Sequence, residues 1–292
     1  MPAEFVPLIC ALAAALTFAI GDQCQYLGVR SLDSRSGTMI SIVTSTACFW
    51  LLAPILLDLS YLGAAGIWVF ALIGLFRPAL SANLSVAGVR HLGPTLSSTL
   101  SSTSPLFSTA LGVLWLGEIL TWPVAVGTVG IIASIIVLSR RGGSGAAEWP
   151  LWALLLPIGA AAIRALAHVL SKLGMVTVPD AYLAGLVSFT VSSIVLLSTQ
   201  AARRERPRLL IGGGHSALWF VASGVSMAVA ITLLNQALLT GEIIVVVPIV
   251  SAAPVFTLLL SIAVFRRERP TARLVGAVAV VVPSVILIAL GR

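Results

Sequence analysis

Charge is what this chain has least of. Only 9% of its 292 residues are Asp, Glu, Lys or Arg, against about 25% in soluble domains. Of the ten acidic residues, Asp22 alone falls within an apolar stretch rather than at its end or in a connection. Cysteine is nearly missing as well. Cys10, Cys24 and Cys48 are too few and too scattered for a zinc site or a disulfide framework, and they read as packing residues. His91, His168 and His215 are dispersed and lack an HExxH context, so a metal-dependent membrane enzyme lacks its ligand set. No metal and no cofactor is expected, and the chain is read as not an enzyme. The GxxxxGK[ST] loop of a nucleotide-driven pump is absent. Long polar connections are absent too, which leaves no room for a soluble domain.

Hydrophobic residues make up 59% of the chain and the mean hydropathy is +1.09. A surface this apolar belongs in lipid, where backbone groups must be satisfied internally. Unbroken rather than alternating apolar runs argue for helices over a barrel. With roughly 20 apolar residues needed per crossing, the sequence offers ten spans, at about 5–28, 37–57, 64–89, 94–116, 121–139, 149–172, 180–200, 215–239, 243–265 and 271–290. The first reads as a retained span rather than a cleavable signal peptide, since acidic Glu4 precedes it and no basic region does.

The net charge of +7 would suit nucleic acid, but its placement points to a membrane instead. Alternate connections hold Arg30, Arg35, Arg90, Arg140, Arg141, Arg203, Arg204, Arg206, Arg208, Arg266, Arg267, Arg269 and Arg273. Lys172 and Arg292 lie near the opposite ends, and Arg77 and Arg164 lie inside spans. The positive-inside rule places the odd-numbered connections in the cytoplasm and both termini outside.

The chain is organised around residues 94–118, PTLSSTLSSTSPLFSTALGVLWLGE, whose first half is nearly all Ser and Thr. A similar stretch, EIIVVVPIVSAAPVFTLLLSIAVFRRE, returns at 242–268. Pro254 matches Pro105 at an offset of 149, and Phe70, Gly74, Ala87 and Gly127 find partners in Phe220, Gly224, Ala237 and Gly276. Such a repeat, in spans broken by proline, reads as a transporter built from two halves. Residues 1–139 form the first five-span unit, the Gly-rich stretch 140–148 a linker, and 149–292 the second. Because five is odd, the halves insert with opposite topology. The expected fold is therefore all-α: ten transmembrane helices, as two inverted five-helix repeats around a central cavity.

The candidate site follows from the cost of polar groups in hydrocarbon. Asp22 is a candidate coupling group, because a carboxylate in a span is expensive unless paired or protonated. Arg77 at mid-span should face a cavity or a counter-charge, and Pro78 frees backbone beside it. Asn83 lies further along the same span. Ser97, Ser101, Ser104 and Ser108 follow i, i+4, i+7, i+11, a single helical face suited to a wet pathway. Arg164, His168 and Lys172 share one face of the sixth span; Lys172, near its end, is left to snorkel. Asn235 completes the polar set on the eighth span. Pro78, Pro105, Pro248 and Pro254 are the expected hinges.

The doubled pattern of Pro105…Gly117-Glu118 and Pro254…Glu268, followed by Gly127 or Gly276, resembles the tandem EamA domains of the drug/metabolite transporter superfamily. The resemblance covers essentially the whole chain and is nearest to bacterial aromatic amino-acid exporters. It implies ten helices around a cavity walled by the third, fourth, eighth and ninth, with help from the first and sixth. It also implies secondary transport by alternating access, and both termini inside, which disagrees with the arginine count. The expectation is an amino-acid exporter of the bacterial inner membrane, favouring aromatic or apolar side chains. In it, Arg77 or Arg164 receives the carboxylate, while Asn83, Asn235 and the hydroxyls of the fourth span take the ammonium. Its partners are a small-molecule substrate and the lipid bilayer, not nucleic acid, and a complete pair of halves suggests a monomer. Export of another small metabolite or drug, or a channel-like pore, is the alternative.

Overall fold

A computed structural model describes residues 5–28, 34–61, 63–77, 79–139, 150–202, 214–264 and 272–291. The arginines at 30, 140, 141, 203, 204, 206, 208, 266, 267 and 269, the linker 140–148 and Pro78 lie outside the described residues, so the expected orientation rests on sequence alone.

The described chain is helical throughout. Its α-helices are α1 (Val6–Gly28), α2 (Ser34–Leu56), α3 (Ala65–Phe76), α4 (Ala79–Ser101), α5 (Ser104–Leu116) and α6 (Trp122–Ser139), then α7 (Leu155–Thr177), α8 (Ala181–Ala202), α9 (Gly214–Thr240), α10 (Ile243–Val250), α11 (Ala253–Ala263) and α12 (Ala272–Leu290). Six stretches are long and apolar enough to cross a membrane: Val6–Gly28, Ser36–Leu56, Leu151–Thr177, Ala181–Ala202, Ala217–Thr240 and Ile243–Ala263.

The third and fourth spans depart from their expected limits of 64–89 and 94–116. The helix instead stops at Phe76, resumes at Ala79 and runs on through Gly93 and Pro94 to Ser101. The cause of the first break is local. Arg77 precedes a proline, which disfavours helical backbone at the residue before it, and Arg77 sits at φ −123°, ψ 135°.

Two other breaks are copies of each other. Thr103 (φ −77°, ψ −3°) separates α4 from α5, and Ala252 (φ −74°, ψ −2°) separates α10 from α11. The Thr103 N–H donates to Leu100 O at 3.2 Å, and the Ala252 N–H to Ile249 O at 3.1 Å. Pro105 and Pro254 each occupy the first turn of the following helix, where a missing N–H costs nothing. They therefore start helices rather than bend them.

The halves pack on each other more than on themselves, with α1 on α9, α3 on α7 and α8, and α6 on α12. These contacts are reciprocal. Ser188 Oγ donates to Phe70 O at 3.0 Å, and Ser41 Oγ donates to Phe220 O, also at 3.0 Å. A Cβ on Gly74 would lie 2.5 Å from Ser188 O, and one on Gly224 would lie 2.5 Å from Ser41 O. The Phe70 ring lies against Gly174, and the Phe220 ring against Gly28. Each of these three contacts of one half has a counterpart in the other. Small residues admit this approach, as lipid-embedded helices need: on α1, Ala11, Ala14, Ala15, Ala19 and Gly21 are all buried. The Gly127–Gly276 pair breaks the pattern. A Cβ at Gly127 would meet Ser284 O at 2.6 Å, whereas nothing lies within 4 Å of one at Gly276.

Candidate functional site

Both proline-started breaks open onto one cavity of about 540 Å³, within the roughly 300–1,000 Å³ of small-molecule sites. Its walls come from both halves. α1 contributes Phe18 and Asp22, the α3–α4 break Arg77, and the α4–α5 break Ser101, Ser102, Ser104 and Pro105. From the second half, α7 contributes Arg164 and His168, α9 Met227 and Leu234, and α10 with α11 Val247, Val250, Ser251, Ala253 and Pro254. Ile135 of α6 closes the list of walls.

The lining residues are related by the repeat. The matched contacts of Phe70 and Phe220 set Arg77 against Met227, and those of Gly28 and Gly174 set Phe18 against Arg164 and Asp22 against His168. The matched breaks set Ser101 against Val250 and Ser104 against Ala253. At each of these five matched places the two halves carry side chains of different chemistry. The backbone is repeated while the chemistry is not.

Each charged group is held differently. The Arg164 guanidinium donates to Ser101 O at 3.1 Å, a carbonyl left open where α4 ends, so a cation sits at a helix C-terminus. Arg77 stands at the α3–α4 break, and its backbone N–H donates to Ile73 O at 2.9 Å. Its side chain also borders a niche of about 30 Å³ shared with Ser171, Ser188 and Asn235, room enough for a water. His168 is 8% exposed, and its Nδ1 is buried without a hydrogen-bond partner. Asp22 is exposed and borders the cavity, with the Thr257 hydroxyl 3.4 Å from Oδ2.

Of the residues singled out in the sequence, Asp22, Arg77, Ser101, Ser104, Arg164, His168, Pro105 and Pro254 come together at this cavity. Asn83, Ser97, Ser108, Lys172, Asn235 and Pro248 do not line it. Asn83 is exposed on α4. Ser97 is buried at 2%. Pro248 lies inside α10. Asn235 spends its amide on Ala181 O at 3.2 Å and accepts from Ser171 at 3.2 Å, pinning α9 to α7 and α8. The serine face is also interrupted, because α4 ends at Ser101 and α5 begins at Ser104. The described residues hold no group of three or more His, Cys, Asp or Glu able to bind a metal.

Sequence reasoning set aside a clasp between the halves. Lys172 Nζ donates to Glu118 Oε1 at 2.8 Å and to Gly241 O at 2.7 Å. The same carboxylate accepts the Ile243 and Ile244 N–H groups at 2.9 and 3.0 Å, capping the start of α10 where negative charge is favoured. Gly117, at φ 67°, turns the end of α5 so that Glu118 reaches across. The signal available was Glu118 itself, an acid closing an apolar span with a lysine at the end of another.

The EamA-like transporter family model matches this sequence twice, over residues 6–140 and 151–290. Among solved structures, 29 chains match. One of them, a protein known by crystal structure, is similar with a TM-score of 0.79 and 18% identity, covering 97% of this chain and 96% of its own. That likeness concerns the fold. No curated protein matches.

Proposed function

The chain belongs to the EamA-like transporter family, and from that premise we propose that it exports an amino acid across the bacterial inner membrane as a secondary transporter. Ten spans in two oppositely inserted halves would rock about the shared cavity, exposing it to each side in turn. The observation that carries this reading is the cavity itself: about 540 Å³, closed by the matched breaks of both halves, with Arg77 and Arg164 at its wall. Partly buried cations in a lipid-embedded bundle are costly and mark substrate paths, and a carboxylate is the anion an arginine binds in charge-assisted fashion. Val247, Val250, Ala253 and Met227, which line the same cavity, suit an apolar or aromatic side chain. The Glu118–Lys172 clasp, which joins the halves, is the contact that rocking would have to break.

The test is exchange in liposomes. Purified protein loaded with unlabelled L-phenylalanine should accumulate labelled L-phenylalanine by saturable counterflow. A pore would equilibrate the label without saturation, and exchange of no amino acid at all would end this reading.

A further inference from the structure

The cavity's charges fall into two groups that do not neutralise each other. Arg77, Arg164 and His168, all on its wall, form one. Asp22 is the other. No ion pair joins it to either arginine, and the one ion pair between described residues is Lys172 with Glu118. The described bond to the Asp22 carboxylate is the long 3.4 Å contact from Thr257, whose hydroxyl also donates to Ala253 O at 3.0 Å. Asp22, His168 and both arginines line the same cavity, and no ion pair joins the acid to either arginine.

Ionised groups that line one cavity in a membrane-spanning bundle without pairing leave both charges uncompensated. A ligand with a carboxylate at one end and an ammonium at the other supplies both counter-charges at once. The two arginines are not equivalent. Arg164 already donates to Ser101 O, whereas no hydrogen bond engages the Arg77 guanidinium among the described residues. The amides once expected to take the ammonium are elsewhere, with Asn83 outside the cavity lining and Asn235 engaged by α7 and α8.

We propose that Asp22 recognises the substrate's ammonium and Arg77 its carboxylate, so that the cavity selects zwitterions over anions and cations of the same shape. The assignment rests on the amino-acid transport reading and gives Asp22 a role in specificity rather than in coupling. Removing Asp22's charge should then abolish one discrimination and spare the other.

The experiment measures displacement of labelled L-phenylalanine from the purified full chain by 3-phenylpropionate, which lacks the ammonium, and by phenethylamine, which lacks the carboxylate. On the wild type both should compete at least ~10-fold more weakly than L-phenylalanine, the loss of one charge-assisted interaction. In Asp22→Asn the gap to 3-phenylpropionate should close to within ~3-fold while the gap to phenethylamine persists. Arg77→Gln should do the reverse, and Asp22→Glu should restore the first gap. Undiminished discrimination against 3-phenylpropionate in Asp22→Asn overturns the assignment, as does a wild type that binds 3-phenylpropionate as tightly as L-phenylalanine. If labelled L-phenylalanine neither binds nor exchanges on the wild type, the transport reading falls first, and this assignment with it.

Discussion

Where α4 gives way to α5 the wall is Ser101, Ser102 and Ser104; where α10 gives way to α11 it is Val250, Ser251 and Ala253. The two turns share dihedral angles, hydrogen bonds and a proline in the next turn. The backbone geometry of a break is thus independent of the side chains it carries. Proline placement and the loss of ladder hydrogen bonds decide the shape, and the flanking residues are left to decide what the cavity attracts. One half could become greasy and the other polar without changing the frame. That difference gives a repeated frame a lining of mixed chemistry, with Asp22, Arg77 and Arg164 set among apolar residues.

The comparison can be broken most severely at the clasp, where the halves are joined asymmetrically. Glu118 is 6% exposed, holds Lys172 and caps Ile243 and Ile244. Replacing it with Ala leaves a partly buried lysine and two helix-start donors unpaired, and should cost about 3 kcal/mol of stability, read from thermal unfolding in detergent. Next comes Arg77→Met, which copies Met227 into the first half and makes the cavity symmetric at that place. Substrate affinity should fall about 10- to 100-fold, the worth of a charge-assisted bond, while thermal unfolding stays at the wild-type value or rises. Isothermal titration with L-phenylalanine measures it.

Two glycines sharpen the frame itself. Gly74→Ala and Gly224→Ala each force a Cβ to within 2.5 Å of a backbone carbonyl. Both should destabilise by about 1–3 kcal/mol and by similar amounts, whereas a large inequality would deny the reciprocity of the packing. The smallest effect is expected at Gly276, which faces open space on α12. Ala there should stabilise by up to about 1 kcal/mol through helix propensity, while Gly127→Ala, aimed at Ser284 O, should destabilise.

Much of the cavity was legible in the sequence because ionised groups in an apolar chain are rare and each needs a reason. Asp22, Arg77, Arg164 and His168 stood out on that ground alone, and the 149-residue echo of Pro105 in Pro254 located the breaks. The uncharged polar residues were not legible in the same way. Asn83, Ser97 and Asn235 cost too little to demand a cavity, and a hydrogen bond to a neighbouring carbonyl suffices for Asn235. The serine periodicity assumed one continuous helix, which the turn at Thr103 interrupts. Glu118 and Lys172 meet across 54 residues of sequence, a distance over which no spacing rule operates. The helix limits near Arg77 went astray because two prolines, Pro78 and Pro94, compete for the break, and sequence alone does not rank them.

Counterflow of labelled L-phenylalanine in liposomes, comparing the wild type with Arg77→Met, bears most directly on the claim that a cation shared between two halves recognises the substrate. The account predicts saturable exchange by the wild type and its loss in Arg77→Met, with both proteins folded. Equal, saturable exchange by the two would contradict it.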